Sequence, residues 1–365
     1  MSRPKDVAGD GAGESAGSGQ PHSRIDPVVL GRWMDERGLP GAGVRVATRF
    51  VTGGASNELF EITRGDDRFA LRRPPDPVPP GRDATMVREC RLLAALAGTD
   101  VPHARLLAGC DDPAVLGGCF FMTEFVDGWS PIQEGGVWPE PFNSDLEVRR
   151  GLAFQLVDAI ARLSRVDWEA RGLEGFGRPE GFHERQVDRW LNHLQAVQFR
   201  PLPGIDEAAL WLRAHKPRTY RPGIMHGDYQ FANVMFRHGG PARLAAIVDW
   251  EMATVGDPLL DLGWVINGWP EDTSATEGTL GYVDYTGMPS ARELLEYYEE
   301  ASDRPVDEID YYVILARFKL AIVLEGGYAR YVKGEADNPK MAQFGEVVLE
   351  MARRAAELAS TTRLG

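Results

Sequence analysis

Cysteine is scarce in this chain: Cys90, Cys110 and Cys119 are the only three in 365 residues, and no two of them form a Cys-x-x-Cys pair. That argues against a disulfide framework and a cysteine-built zinc site, and fits buried thiols in a reducing compartment. Positive charge is also short, with 40 Lys plus Arg against 54 Asp plus Glu and a formal net charge of -14. Such a balance disfavours non-specific binding to nucleic acid or to anionic membranes, although a local basic patch can still hold a phosphorylated ligand. No apolar run near the N-terminus suits a signal-peptide core, and none elsewhere is long enough to span a bilayer, so a soluble, cytoplasmic protein is expected. There is no internal repeat. The Gly-x-x-x-x-Gly-Lys-[Ser/Thr] pattern is missing, which removes the P-loop as a phosphate cradle. What the chain does have is 43% hydrophobic residues, enough for the core of one large or two modest domains.

Residues 1–24 are rich in Gly, Ser and charge and too poor in apolar side chains to offset the entropy of ordering, so they are expected to form a disordered tail. Gly13-Glu-Ser-Ala-Gly17 in that tail matches a hydrolase nucleophile elbow in letters only. The buried strand and helix that such an elbow needs cannot be built from its neighbours. From Asp26 an amphipathic helix through Leu30, Trp33 and Met34 runs to the stop signal Gly38-Leu-Pro-Gly41. Strands are expected at 44–50, 58–63 and 68–72, then a helix at 84–97 and an apolar strand at 118–126. The stretch 129–143 has no period and reads as a loop. Helices dominate beyond 146, with a core stripe through Leu152, Leu156, Ile160 and Leu163 and a segment centred on Trp190, Leu191 and Leu194. Three final helices are expected near 291–301, 308–331 and 339–359.

The most informative stretch lies between Ile224 and Glu251. One apolar run, Ile224-Met225, delivers Asp228, and another, Ala245 to Val248, delivers Asp249. Asn233 sits five residues past Asp228, so one short loop presents a carboxylate and an amide oxygen. From His226 to Asp261 there are five acids (Asp228, Asp249, Glu251, Asp257, Asp261) and two arginines (Arg237, Arg243). Each acid alone reads as a solvated loop residue. Asp228, Asn233 and Asp249 together form an oxygen-donor set for a hard cation such as Mg2+, which is commonly held by one or two carboxylates plus substrate phosphates.

His226-x-Asp228-x-x-x-x-Asn233 followed by Asp249 resembles the catalytic loop and metal-binding Asp of protein-kinase-like enzymes. His-Gly-Asp in place of His-Arg-Asp, and Asp249-Trp250-Glu251 in place of Asp-Phe-Gly, are similar to the aminoglycoside phosphotransferase and choline kinase branch. The nearest resemblance is to the kinase-like domains related to those fused to acyl-CoA dehydrogenases. It implies an α+β, two-lobed fold, with a small antiparallel sheet plus helix over 25–126 and a mainly helical lobe over 127–360. It also implies ATP or GTP in the cleft, with Asp228 as catalytic base and Asn233 and Asp249 on Mg2+. On the nucleotide it places the hairpin tip Gly53, Gly54, Ser56 and Asn57, the hinge Glu124 and Phe125, and the pair Arg72–Glu89.

Three of these positions carry a second reading. The tip is either a phosphate cradle or an ordinary turn, and Glu89 is either the partner of Arg72 or part of a solvated helix face. Arg72 stands where many members have Lys, and a guanidinium fork differs from an ammonium in reach and geometry. By the same resemblance Asp257 orients the catalytic loop through His226. Tyr298, Tyr312, Glu325 and Tyr328 either line an acceptor pocket or pack the core. The absence of an Ala-Pro-Glu segment argues against a protein kinase controlled by activation-loop phosphorylation. The function expected is phosphoryl transfer to a hydroxyl of a small molecule, with a hydroxyacyl compound favoured over an aminoglycoside, a choline-like amine or a sugar. The rivals are a nucleotide-binding module without turnover and, more weakly, a metal-dependent hydrolase.

Overall fold

The computed structural model of the chain describes residues 25–53, 57–132, 137–270, 273, 282–336 and 340–364. The tail 1–24, its Gly13–Gly17 match, and Gly54 and Ser56 of the hairpin tip therefore lie outside the described residues.

Helix α1, Pro27–Glu36, starts where the sequence signals it: Asp26 accepts hydrogen bonds from the Val28 and Val29 amides, and Pro27 occupies the first turn, where its missing N–H costs nothing. Strands β1 (Val46–Gly53), β2 (Glu58–Arg64) and β3 (Asp67–Arg73) follow as an antiparallel meander, then helix α2 (Arg82–Leu96). Strand β4 (Leu106–Cys110), a short helix α3 (Pro113–Leu116) and strand β5 (Phe120–Glu124) complete a five-stranded antiparallel sheet in the order β1-β2-β3-β5-β4. The register pairs Arg72 with Leu59 on one side and with Phe121 on the other. Strand alternation then sends Phe69 and Leu71 into a core with Ile62 and Met122 and turns Arg72 to the opposite face.

The helical lobe opens with α4 (Leu146–Arg165), α5 (Phe182–Val197) and α6 (Ile205–Ala214). Short strands follow: β6 (Gly223–Met225) pairs with β9 (Thr254–Gly256), and β7 (Val234–Phe236) pairs with β8 (Leu244–Ile247). Then come α7 (Leu259–Asn267), α8 (Ala291–Ser302), α9 (Ile309–Val332) and α10 (Lys340–Thr361). Helix α9 packs against α5, α6, α7 and α10, and it is apolar nearly all round, as a helix enclosed by others must be. The expected stripe Leu152, Leu156, Ile160 and Leu163 is buried throughout. Among the described residues no helix is long and apolar enough to cross a membrane.

The fold is the α+β, two-lobed arrangement expected from the resemblance. Where the sequence reading fell short, short elements are the reason. Strand β4, with Gly109 inside it, and the one-turn α3 show too little period to be read, and α6 was likewise not anticipated. The strand expected at 118–126 is narrower, Phe120–Glu124.

Candidate active site

The site is built on a sharp turn between β6 and the Asp228 loop. Gly227 takes φ +85°, which favours glycine, and a Cβ there would lie 2.5 Å from the Met252 carbonyl oxygen. Three buried groups hold the turn. The Asp261 carboxylate accepts the His226 amide at 2.5 Å and the Gly227 amide at 2.8 Å. Lys319 of α9 donates its ammonium to the Gly227 carbonyl at 2.5 Å. His226 Nε2 meets the Val248 carbonyl at 2.9 Å, so that nitrogen carries the proton and Nδ1 is left to face the Asp228 amide at 3.4 Å. Burial lowers the His226 pKa to about 4, which keeps the ring neutral and this tautomer intact at neutral pH. Burial likewise pushes Asp261 up to about 6, against the pull of the two amides it accepts.

The orientation expected of Asp257 is thus performed by Asp261. Asp257 instead accepts from Tyr312 at 2.6 Å and sits 2.8 Å from His183 Nε2, fully buried behind the turn. Asp257 and Asp261 lie four apart with the apolar Pro258, Leu259 and Leu260 between them, and letters alone do not say which carboxylate faces β6.

Both Asp228 oxygens accept hydrogen bonds, Oδ1 from Gln230 at 3.0 Å and Oδ2 from Asn233 Nδ2 at 3.0 Å. Burial raises the Asp228 pKa despite these bonds and the nearby Lys319 charge. With its amide nitrogen on Asp228, Asn233 keeps its amide oxygen available as a donor atom. The pairing of Val234 with Ile247, and the Val248 amide on the Asn233 carbonyl at 2.9 Å, bring Asn233 to the end of the β7–β8 ladder from which Asp249 emerges. Asp249 has a left-handed backbone, φ 64° and ψ 62°, which turns the chain out of β8; Asp is one of the few residue types that visits this region.

Arg72 reaches across the cleft. Its Nη2 lies 2.5 Å from Asp249 Oδ1 and its Nε 3.3 Å from Glu89 Oε2. Glu89 is 2% exposed, so of its two readings the solvated face falls and the partner of Arg72 stands. Burial pushes the Glu89 pKa up to about 7, outweighing Arg72, and its Oε1 has no hydrogen-bond partner. Arg73, one position along, points the other way and pairs with Glu58 at 3.1 Å.

Gly53 ends β1, and Asn57 beyond the tip donates to Glu251 Oε2 at 3.4 Å. Arg82 reaches the same oxygen at 3.0 Å. Glu251 was counted among the acids without a role, and Arg82 was not singled out; the structure makes them a second bridge between the lobes. Glu124 closes β5, with its side chain 3.4 Å from Arg105, and the Phe125 ring lies under Arg68 at 3.9 Å. Both stand where the chain leaves the sheet for the helical lobe.

Beside Asp228 opens a cavity of about 750 Å³, lined among others by Gln230, Trp264, Tyr282, Lys319 and Phe344. The four residues offered for an acceptor pocket pack the core or helix surfaces instead. Tyr298, Tyr312 and Glu325 are at most 1% exposed, Glu325 paired with Arg200 at 2.9 Å, and Tyr328 lies against Phe199. Lys319 and Trp264 were missed because a lone Lys or Trp on a helix carries no spacing signal. Among the described residues no group of three or more His, Cys, Asp or Glu could form a metal cage.

An antiparallel five-stranded sheet, a helical lobe, and two short strand pairs carrying Asp228 and Asp249 at their junction define a protein-kinase-like fold. Within that class the chain belongs to the phosphotransferase enzyme family, which it matches over residues 47–294. Acyl-CoA dehydrogenase family member 10 of Mus musculus is 28% identical over 313 residues, 84% of this chain and 28% of that protein. Acyl-CoA dehydrogenase family member 11 of Gallus gallus is 29% identical over 349 residues, 92% of this chain and 44% of that protein. The chain thus spans less than half the length of these relatives. Among solved structures, a candidate aminoglycoside phosphotransferase from Ralstonia eutropha superposes with a TM-score of 0.78 at 28% identity, covering 92% of this chain and 99% of that one. A thermostable mutant of aminoglycoside phosphotransferase APH(4)-Ia, in a ternary complex with AMP-PNP and hygromycin B, has a TM-score of 0.58 at 15% identity, covering 91% and 99%. At that identity the likeness is one of fold.

Proposed function

We propose that the chain transfers the γ-phosphoryl group of ATP to a hydroxyl of a small acceptor that enters the cavity beside Asp228. The observation that carries this reading is the position of Asp228: a carboxylate on the wall of a large cavity, hydrogen-bonded to Asn233, at the end of a turn fixed on all sides. Asp228 orients the acceptor hydroxyl and takes its proton as the oxygen attacks phosphorus, and the ADP oxygen leaves with the electron pair of the broken bond. Arg72, placed by Glu89, binds phosphate oxygens, with Gly53 and Asn57 beside them and Glu124 and Phe125 on the adenine side.

The donor set suits Mg2+. Asp249 already attracts a cation, the Arg72 guanidinium, and its carboxylate with the Asn233 amide oxygen offers hard oxygen ligands and no sulfur or imidazole. Asn233 and Asp249 would hold Mg2+, which would supply charge neutralisation on the transferring phosphoryl group. ATP affinity should therefore fall when the metal is removed. Calorimetric titration with ATP, with and without excess chelator, measures this, and equal affinities would remove Asn233 and Asp249 as metal ligands.

Arg72→Ala deletes a charge-assisted contact worth roughly 1.5–3 kcal/mol and should weaken ATP about ten-fold or more. Adenosine, which has no phosphates, should bind alike to both proteins. Arg72→Lys separates charge from fork geometry, since partial retention means that charge dominates. ATP binding as tight in Arg72→Ala as in wild type would contradict the phosphate contact.

For the acceptor, a hydroxyacyl compound is favoured by the relatives named as acyl-CoA dehydrogenase family members and by the aromatic and aliphatic lining of the cavity, Trp264, Phe344 and Val347 among it. A screen of Mg-ATP with hydroxyacyl compounds, aminoglycosides, choline-like amines and sugars tests it by the phosphorylated product formed.

A further inference from the structure

Next to the acceptor cavity is a second one of about 240 Å³, and Gly227, Glu251, Met252 and Lys319 line both. Its other walls bring in Arg88 of α2 and Arg189 of α5. Lys319 is 6% exposed, with its ammonium 4.5 Å from the Trp264 ring centroid and 5.6 Å from that of Trp190. Of its three N–H donors, the Gly227 carbonyl takes one.

Among the described residues none of these three cations has a carboxylate within ion-pair distance. Arg88 donates to the Ala253 carbonyl at 3.1 Å and lies over Phe176, and Arg189 lies over the Trp190 ring at 5.4 Å. Of the acids nearby, Glu251, on the wall of both cavities, pairs with Arg82, Asp188 pairs with Arg213, Asp261 accepts the His226 and Gly227 amides, and Asp228 accepts from Gln230 and Asn233. Asp228 and Asp261 act on the Lys319 ammonium only from beyond ion-pair distance, and an anionic ligand in direct contact with it would offset more of the cost of its burial. In a chain of net charge -14, three cations around one cavity, each outside ion-pair distance of any described carboxylate, also favour the approach of an anion.

We propose that this smaller cavity is an oxyanion subsite of the acceptor, in which Lys319, Arg88 and Arg189 bind a carboxylate or phosphate group carried by the same molecule whose hydroxyl meets Asp228. The inference rests on the phosphotransferase reading and adds to it a charge that the acceptor must bear. The apolar part of the molecule occupies the larger cavity, and Lys319, on the wall of both, reaches the anion at their junction.

The test uses protein saturated with Mg2+ and AMP-PNP, so that added anions find the nucleotide site filled. Octanoate, octanol and inorganic phosphate are then titrated separately by calorimetry. Octanoate should bind at least about ten-fold more tightly than octanol, which has the same chain length without the charge, if the oxyanion is a carboxylate; phosphate should bind if it is a phosphate. Arg88→Ala/Arg189→Ala removes two exposed cations, leaves the buried Lys319 in place, and should abolish most of that preference. Lys319→Met, checked for an unchanged fold by circular dichroism, should do the same. Octanoate no better than octanol together with no phosphate binding overturns the subsite, as does anion binding untouched in the double variant. AMP-PNP that fails to bind overturns the phosphotransferase reading and the acceptor role together, whereas AMP-PNP that binds without the anions overturns the subsite alone.

Discussion

Asp228→Asn should lower turnover on a confirmed acceptor by about 10²–10⁴-fold while Mg-ATP affinity stays near that of wild type. The side chain keeps its shape but loses its basic oxygen. Because Gln230 and Asn233 both donate to Asp228, an amide there can accept from only one of them without turning its own NH2 against the other. Burial already raises the pKa of the native carboxylate, which moves it toward the range in which a base both stays ionised at neutral pH and takes a proton readily. Steady-state phosphorylation with parallel calorimetry checks the prediction. An asparagine variant that turns over like wild type removes Asp228 as the base. A wild-type protein that binds ATP and phosphorylates nothing across a broad acceptor screen favours the module without turnover.

Gly227→Ala should be nearly as damaging, and through stability as well as rate. An L-residue at φ +85° costs roughly 1–2 kcal/mol, and the new Cβ meets a backbone oxygen, Met252 O, at 2.5 Å, where no flexible side chain can yield. Either the turn or the Met252 segment must shift. A shift of the turn loosens the Asp261 bonds or the Lys319 bond and carries Asp228 with it, and a displacement of about 1 Å is enough for a loss on the order of 10²-fold. The expected result is a lower thermal midpoint together with a turnover loss of at least that size. A variant with both unchanged means that the turn tolerates the left-handed side chain and that its tethers do not position the base.

Much of this was legible in the chain because the informative residues are close in sequence. Asp228, Asn233 and Asp249 span a short ordered stretch, and the register of β7 with β8 brings the ladder end next to Asp249 as the spacing suggested. Arg72 was legible from its place on the third strand, since alternation turns Arg72 and Arg73 to opposite faces. Glu89 was ambiguous for a physical reason: next to Arg88 and Arg91 a glutamate fits a solvated face, and only the pairing across to β3 shows that the helix turns this position inward. The supports of the turn were harder to read. Asp257 and Asp261 are both acids at the start of one helix, and which of them reaches β6 depends on how α7 is rotated in the core. Lys319 sits in an apolar run that spells a buried helix, where a single charged residue signals a role but not a partner. The cavity beside Asp228 was not legible, because its walls come from the Asp228 loop, α7, α9 and α10, which no local pattern relates.

The tethers of the Gly227 turn also bear on when its geometry can exist during synthesis. The Gly227 amide is met by a carboxylate 34 positions later and its carbonyl by an ammonium 92 positions later. A growing chain that has already exposed His226 to Asn233 therefore carries the motif without its geometry. Both tethers are in place only when Lys319, in the α9 that packs against α7, is present as well as Asp261. One tether of the turn, Lys319, thus lies past the 47–294 stretch by which the family is matched.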